Sequence, residues 1–237
     1  MYCYPFYNDY EILDYASGDV NGDGFLECVY LVGKKYSPNS PFRQDITLII
    51  YDYIKNKYTN VPLKENAGYN PNLFLGDFTG DKIDNIFISI SSGGSGGFSY
   101  DYLYSFINDK AKLIFDFEKF NDEYKYEVNY RDNYKVEVIS KKLNTKYILD
   151  ITYKGDEYLS EIYTEDGTLK EPIEGMVVSV GNIYPIDFQN DNVLELYVFQ
   201  RIIGRYGADG LGYVQTSLAW EKDEFSPFFQ NVAIFGS

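Results

Sequence analysis

The segment "DVNGDGFLE", residues 19–27, sets Asp19, Asn21 and Asp23 at alternate positions, then a glycine, then Glu27. Oxygens at the first, third and fifth positions of a tight loop converge on one point, and a glycine at the sixth lets a backbone carbonyl at the seventh join them. This is how a loop begins to hold Ca²⁺, a hard cation taking about six to eight oxygens. The expected ligands are Asp19, Asn21, Asp23, the carbonyl of Phe25, and Glu27 as closing carboxylate. The loop is no EF-hand, because its twelfth position is Tyr30 and no helical pattern flanks it.

Two further copies follow. "DFTGDKIDN", residues 77–85, offers Asp77, Thr79, Asp81, the carbonyl of Ile83 and Asn85; "DFQNDNVLE", residues 187–195, offers Asp187, Gln189, Asp191, the carbonyl of Val193 and Glu195. The sixth position is Lys82 in one and Asn192 in the other. Gathering carboxylates in each loop costs repulsion even at a protein surface, and a bound divalent ion turns that cost into cross-bracing. Ca²⁺ is therefore the expected cofactor, in a structural role.

Each loop stands between strand-like runs: "CVYLV", "IFISI" and "LYVFQ" all begin at the tenth position. A second pair of strand candidates then flanks a polar turn, "IKNK", "INDK" or "EKDE". Four strands per unit make the blade of a propeller. The interval from Asp77 to Asp187 is close to twice that from Asp19 to Asp77, so a degenerate unit is expected between them. The expectation is an all-β, small β-propeller-like fold in a single domain, with units near 10–68, 69–120, 121–180 (degenerate) and 181–237. The alternative is a β-sandwich with an inserted β-meander.

"DVNGDGFLEC" resembles the FG-GAP or VCBS-type repeats, whose loops read D-x-[ND]-x-D-G-x-x-D before an apolar strand; "DFTGDKIDNI" and "DFQNDNVLEL" match in part. The resemblance implies β-propellers with calcium in inter-strand loops, commonly adhesion or ligand-binding modules of surface or secreted proteins.

Composition narrows the chemistry. Among 237 residues there are 26 Tyr and 17 Phe, which favours strands. A formal net charge of −15, without a basic stripe, repels nucleic acid and acidic membranes. The absence of His removes Ser-His-Asp and Cys-His nucleophiles and His-ligated metals. Cys3 and Cys28 are either one disulfide or two buried thiols. No signal peptide or membrane-spanning run is legible.

Two Gly-rich loops, "SSGGSGGFSYDY" at 91–102 and "RIIGRYGADGLGY" at 201–213, occupy equivalent places and lack the context of a phosphate cradle. Ligand contacts are expected there from Tyr100, Tyr102, Arg201, Arg205, Tyr206, Asp209 and Tyr213. No pair of carboxylates stands out as catalytic. The expected function is a non-catalytic, calcium-binding interaction module at a cell surface or outside the cell, with a protein or glycan partner. The alternative is a carbohydrate-directed protein, lectin-like or a glycoside hydrolase.

Overall fold

The computed structural model describes residues 9–94 and 96–235. Among these, runs rich in β-branched and aromatic residues form fifteen strands in three sheets. One sheet is β1 (Glu11–Gly18), β2 (Glu27–Lys35), β3 (Arg43–Asp52) and β4 (Lys57–Pro62), in that order, paired antiparallel. A second repeats the plan with β5 (Tyr69–Gly76), β6 (Asn85–Ser91), β7 (Ser99–Ser105) and β8 (Lys112–Asp116). The third runs β11-β10-β9-β12-β13-β14-β15. Its members are β9 (Tyr126–Arg131), β10 (Lys135–Ser140), β11 (Thr145–Asp150), β12 (Glu174–Ile186), β13 (Glu195–Ile203), β14 (Gly210–Glu221) and β15 (Glu224–Ile234); a short helix α1 (Phe117–Glu123) follows β8. The protein is all-β in character, and among the described residues no helix is long and apolar enough to cross a membrane.

The chain divides into two compact units. The first takes the residues up to Phe117 with 185–196 and 218–226; the second takes 118–184 and 197–217 with the residues from Pro227 on. In the first unit, β2 and β6 are buried along most of their length, which is why their sequences are continuous apolar runs with no alternation. Register shifts between Ile12 and Asp14 on β1 and between Val32 and Lys34 on β2 mark bulges. Gly33 stands at the second, where a Cβ would lie 2.8 Å from Leu13 Cδ1 and 3.1 Å from the Gln44 carbonyl oxygen. The polar turns are where the chain reverses. Asn56, Asn108, Asp109, Lys222 and Asp223 all adopt positive φ there, the conformation that tight hairpins demand.

All three acidic loops lie in the first unit, and one contact recurs between them. The backbone N–H of Asp84, eighth in its loop, donates to the carbonyl of Asp19, first in the preceding one, at 2.9 Å. Leu194, also eighth, donates to Asp77, also first, at 2.8 Å. The glycine before each acceptor makes the approach feasible. A Cβ on Gly18 would stand 2.2 Å from Asp84 Oδ2, and one on Gly76 would stand 2.5 Å from Leu194 Cδ1.

The second unit packs Val128, Tyr130, Val136, Val138, Leu149 and Ile151 against Leu159 and Ile162 of α2 (Gly155–Ile162), with Ile202, Leu211 and Val214. Residues 121–180, expected as a degenerate unit, supply β9, β10, β11, α2 and the first part of β12. Their strands lie in the third sheet, where β9 pairs with the start of β12 through Asn129 and Glu174. The chain reverses at Asp166–Gly167, in a turn closed by a Tyr163–Leu169 bridge. The residues before it are helical, because Leu159 and Ile162, three apart, give an eight-residue segment one apolar face. Cys28 on β2 is half-buried beside Tyr30 and Tyr51; Cys3 lies outside the described residues.

Candidate functional site

The acidic loops share one internal hydrogen-bond plan. The first-position carboxylate caps the loop's own backbone. Asp19 accepts from the N–H of Gly22 and Gly24 at 2.8 and 2.9 Å, and Asp77 accepts from Gly80 and Lys82, both at 2.7 Å. Asp187 accepts from Asp191 and Asn192 at 3.1 and 3.0 Å. The fifth-position Asp accepts from the seventh N–H at 3.0 Å in every copy: Phe25 to Asp23, Ile83 to Asp81, Val193 to Asp191. The ninth residue accepts from the second N–H: Val20 to Glu27, Phe78 to Asn85, Phe188 to Glu195. The repeat is therefore first an Asx-turn device that satisfies buried or strained backbone donors. Positions four and six are left-handed throughout, with φ of 81° and 84° at Gly22 and Gly24, 77° and 66° at Gly80 and Lys82, 57° and 69° at Asn190 and Asn192. Lys82 and Asn192 adopt the turn without the glycine that the motif led one to expect.

Beyond that plan the copies diverge. At the first loop, carboxylate oxygens of Asp23, Glu27 and Asp52 lie within 4.8 Å of one another, the one such group of three among the described residues. Asn21 is at their centre. Its Oδ1 accepts from the Asp23 N–H at 2.9 Å, so its Nδ2 faces the anions, donating to Asp23 Oδ2 at 3.1 Å and Glu27 Oε1 at 3.0 Å. The Lys55 ammonium completes the cluster at 3.0 Å from Asp52 Oδ2, 2.9 Å from Asp109 Oδ1 and 3.6 Å from Asp23 Oδ2. Asp52 ends β3 and Asp109 sits in the turn between β7 and β8, so three hairpin ends of the first unit meet here.

The electrostatics follow from these contacts. Burial raises the Glu27 carboxyl above its ordinary range, reinforced by the negative charges of Asp23 and Asp52 and opposed by the Val20 amide. Burial pushes Asp52 the same way, but the Lys55 amide and ammonium outweigh it and hold that carboxyl low. Hydrogen bonds to Asp109 and Asp52 raise Lys55 well above an ordinary lysine.

The other two loops do not gather charge in this way. In the second, Thr79 Oγ1 and Asn85 Nδ2 are buried without a hydrogen-bond partner, and a donor amide faces the place assigned to a closing ligand. In the third, Glu195 accepts from Gln189 Nε2 at 3.1 Å as well as from Phe188. Of the set Asp19, Asn21, Asp23, Phe25 and Glu27, the side chains of Asn21, Asp23 and Glu27 meet at the first loop. Asp19 is engaged by backbone, while Asp52 from the end of β3 and Asp109 from the β7–β8 turn, both remote in sequence, join. The sequence placed Asp109 in the polar turn "INDK" and Asp52 at the end of a strand, just before the turn "IKNK".

The Gly-rich loops divide their candidates. Tyr102 is buried, its hydroxyl accepting from the Glu65 N–H at 2.8 Å, and Tyr100 packs on Phe117. Tyr213 packs between Phe199 and Phe235, and Arg201 donates to the Ala208 carbonyl at 3.5 Å. Arg205, Tyr206 and Asp209 come together in the second unit. Buried Asp209 accepts from Lys154 Nζ and the Tyr158 hydroxyl, both at 2.7 Å, from the Arg205 N–H at 3.0 Å and from the Tyr130 hydroxyl at 3.3 Å. Burial alone would raise its carboxyl; the Lys154, Tyr158 and Arg205 donors together hold it below the ordinary range.

A model of the YybI C-terminal domain family matches residues 124–233. The uncharacterized protein YybI of Bacillus subtilis (strain 168) is 50% identical over 220 residues, covering 93% of this chain and 84% of that protein. The chain belongs to the YybI family. This corrects the FG-GAP or VCBS resemblance, which rested on a nine-residue loop pattern that any Asx-capped turn of this plan shares. A YybI-type relationship instead extends over most of the chain. Among solved structures, a rhamnogalacturonan lyase PL11 of Bacillus licheniformis superposes with a TM-score of 0.41 at 13% identity. That match covers 94% of this chain, which spans 34% of the lyase, and a superposition at that level does not establish a common fold.

Proposed function

We propose that this YybI-family chain is a non-catalytic binding module, working at a cell surface or outside the cell, in which one Ca²⁺ braces the loop end of the first unit. The observation that carries this reading is the approach of the Asp23, Glu27 and Asp52 carboxylates within 4.8 Å. With Asp109 on the same ammonium, three carboxylates, Asp23, Asp52 and Asp109, stand against Lys55, and Glu27 adds a fourth to the group. A hard divalent ion there would neutralise charge that one lysine leaves in excess, with water making up its oxygen shell. Lys55, its side chain 42% exposed, has room to turn to solvent.

Of the residues assigned to metal from the motif, Asp23 and Glu27 are the ones this reading keeps, and Asp52 and Asp109 are added. At about 1 mM free Ca²⁺, the extracellular regime, a site with Kd of about 0.1 mM adds roughly 1.4 kcal/mol of stability. The finer architecture we read as a small propeller-like repeat. Its support is the recurrence of the Asp84-to-Asp19 and Leu194-to-Asp77 hydrogen bonds, since a rotation carrying one loop onto the next repeats each contact.

Thermal melts in millimolar Ca²⁺ and in EGTA test the reading, on wild type and on Asp23→Ala. A calcium-dependent rise in wild type that Asp23→Ala abolishes supports it; coincident melts of the wild type reject it.

A further inference from the structure

Between β13 and β14, residues 204–209 form a surface loop held by its own backbone. Gly204 N–H donates to the Asp209 carbonyl at 2.7 Å, and Asp209 N–H donates to the Tyr206 carbonyl at 2.8 Å. Beneath the loop lies the Asp209 carboxylate with its Lys154, Tyr158 and Tyr130 partners. Gly204 admits them: a Cβ there would stand 2.1 Å from the Tyr130 hydroxyl oxygen and 2.3 Å from Asp209 Oδ2. Burying an ion pair is an expensive way to stabilise a loop, and its best-attested use is to impose one conformation.

What this conformation fixes is the pair Arg205 and Tyr206. The Arg205 guanidinium lies 5.2 Å from the centre of the Tyr158 ring and 5.9 Å from that of Tyr206, and is held by Glu161 Oε2 at 2.7 Å. The Tyr206 ring is left exposed. Arg205 and Glu161 also line an open cleft of about 680 Å³, shared with Lys170, Glu171, Glu174 and Ile173, within the usual size of small-ligand sites. Three carboxylates and two cations mix along its wall, so an ion of either sign meets like charge. A ligand that is neutral and rich in hydroxyl groups meets acceptors and donors in turn, and its C–H face suits an exposed tyrosine ring.

We propose that this cleft binds a neutral oligosaccharide, hydrogen-bonded through its hydroxyls to Glu161 and Arg205 and reaching past the cleft wall to stack on Tyr206, which does not line the cleft but whose ring centre is 5.9 Å from the lining Arg205 guanidinium. The proposal rests on the reading of the chain as a binding module and is independent of any metal at the first acidic loop. The test is calorimetric titration of the full chain with millimolar oligomers of glucose, xylose, galactose and N-acetylglucosamine. At least one is expected to bind. Tyr206→Ala then weakens binding by about tenfold or more, Tyr206→Phe restores it, and Tyr36→Ala, at an exposed tyrosine of the other unit, leaves it unchanged. No binding by any of the four, or equal binding by Tyr206→Ala, overturns the proposal. Either of those results beside an intact calcium-dependent melt would sink the cleft alone and leave the reading of the acidic loop standing.

Discussion

The Lys55 ammonium lies 3.0 Å from the Asp52 carboxylate, on the outer side of a group of acids drawn from three hairpin ends. It is a cation supplied by the chain at the place a divalent ion would take, so the two compete. Lys55→Met is expected to melt lower than wild type in EGTA, by a few degrees, because the buried Asp52 carboxylate loses its counter-charge. Its gain in melting temperature on adding Ca²⁺ is expected to exceed that of wild type. Differential scanning calorimetry in the two buffers reads both effects.

Asp101 is fully buried on β7, and burial pushes its carboxyl up to about 6 against the opposing hydroxyls of Ser89 and Ser99. A carboxyl raised on folding contributes stability that is complete below its unfolded pKa of about 4 and is lost as pH climbs through about 6. The loss is on the order of 3 kcal/mol at most. Asp101→Asn is expected to flatten stability between pH 4 and pH 6 in urea titrations; an unchanged pH slope would contradict the assignment.

Lys154→Met leaves the Asp209 carboxylate buried without its ammonium, and a cost of about 3–5 kcal/mol is expected. Lys154→Met with Asp209→Leu should recover much of that loss, since no charge is then stranded. A double-mutant cycle by urea unfolding measures the coupling, and strict additivity of the single effects would contradict it.

Lys82 holds φ of 66° at the sixth position of the second acidic loop. Relief of the left-handed strain by Lys82→Gly outweighs the entropy that glycine adds to the unfolded chain, so a gain of about 0.5–1 kcal/mol is expected. Gly24→Lys in the first loop should show the reverse sign. Chemical denaturation of both variants checks the pair.

The strands and their polar turns were legible because half-buried hairpins alternate with Gly, Asn and Asp at the reversals, and "INDK" and "EKDE" turn where their spacing implied. The helix α2 was not, since eight residues with two buried side chains fall below any window in which a 3.6-residue period stands out. The acidic loops were legible as loops, and Asp23 and Glu27 do meet there. Their partners Asp52 and Asp109 were invisible, because side chains that converge from separate hairpins leave no common spacing. The motif also over-weighted glycine: Lys82 and Asn192 reach the same backbone region, held by first-position carboxylates whose work is to cap N–H groups. A pattern built on such capping specifies a turn, and so could not specify a family.

The most direct measurement is calorimetric titration of Ca²⁺ into the metal-free chain and into Asp52→Ala, a residue outside the nine-residue motif. The account predicts one bound ion per wild-type chain with Kd below about 1 mM and no binding by the variant. Binding unaffected by Asp52→Ala, or no heat from the wild type at millimolar Ca²⁺, would contradict it.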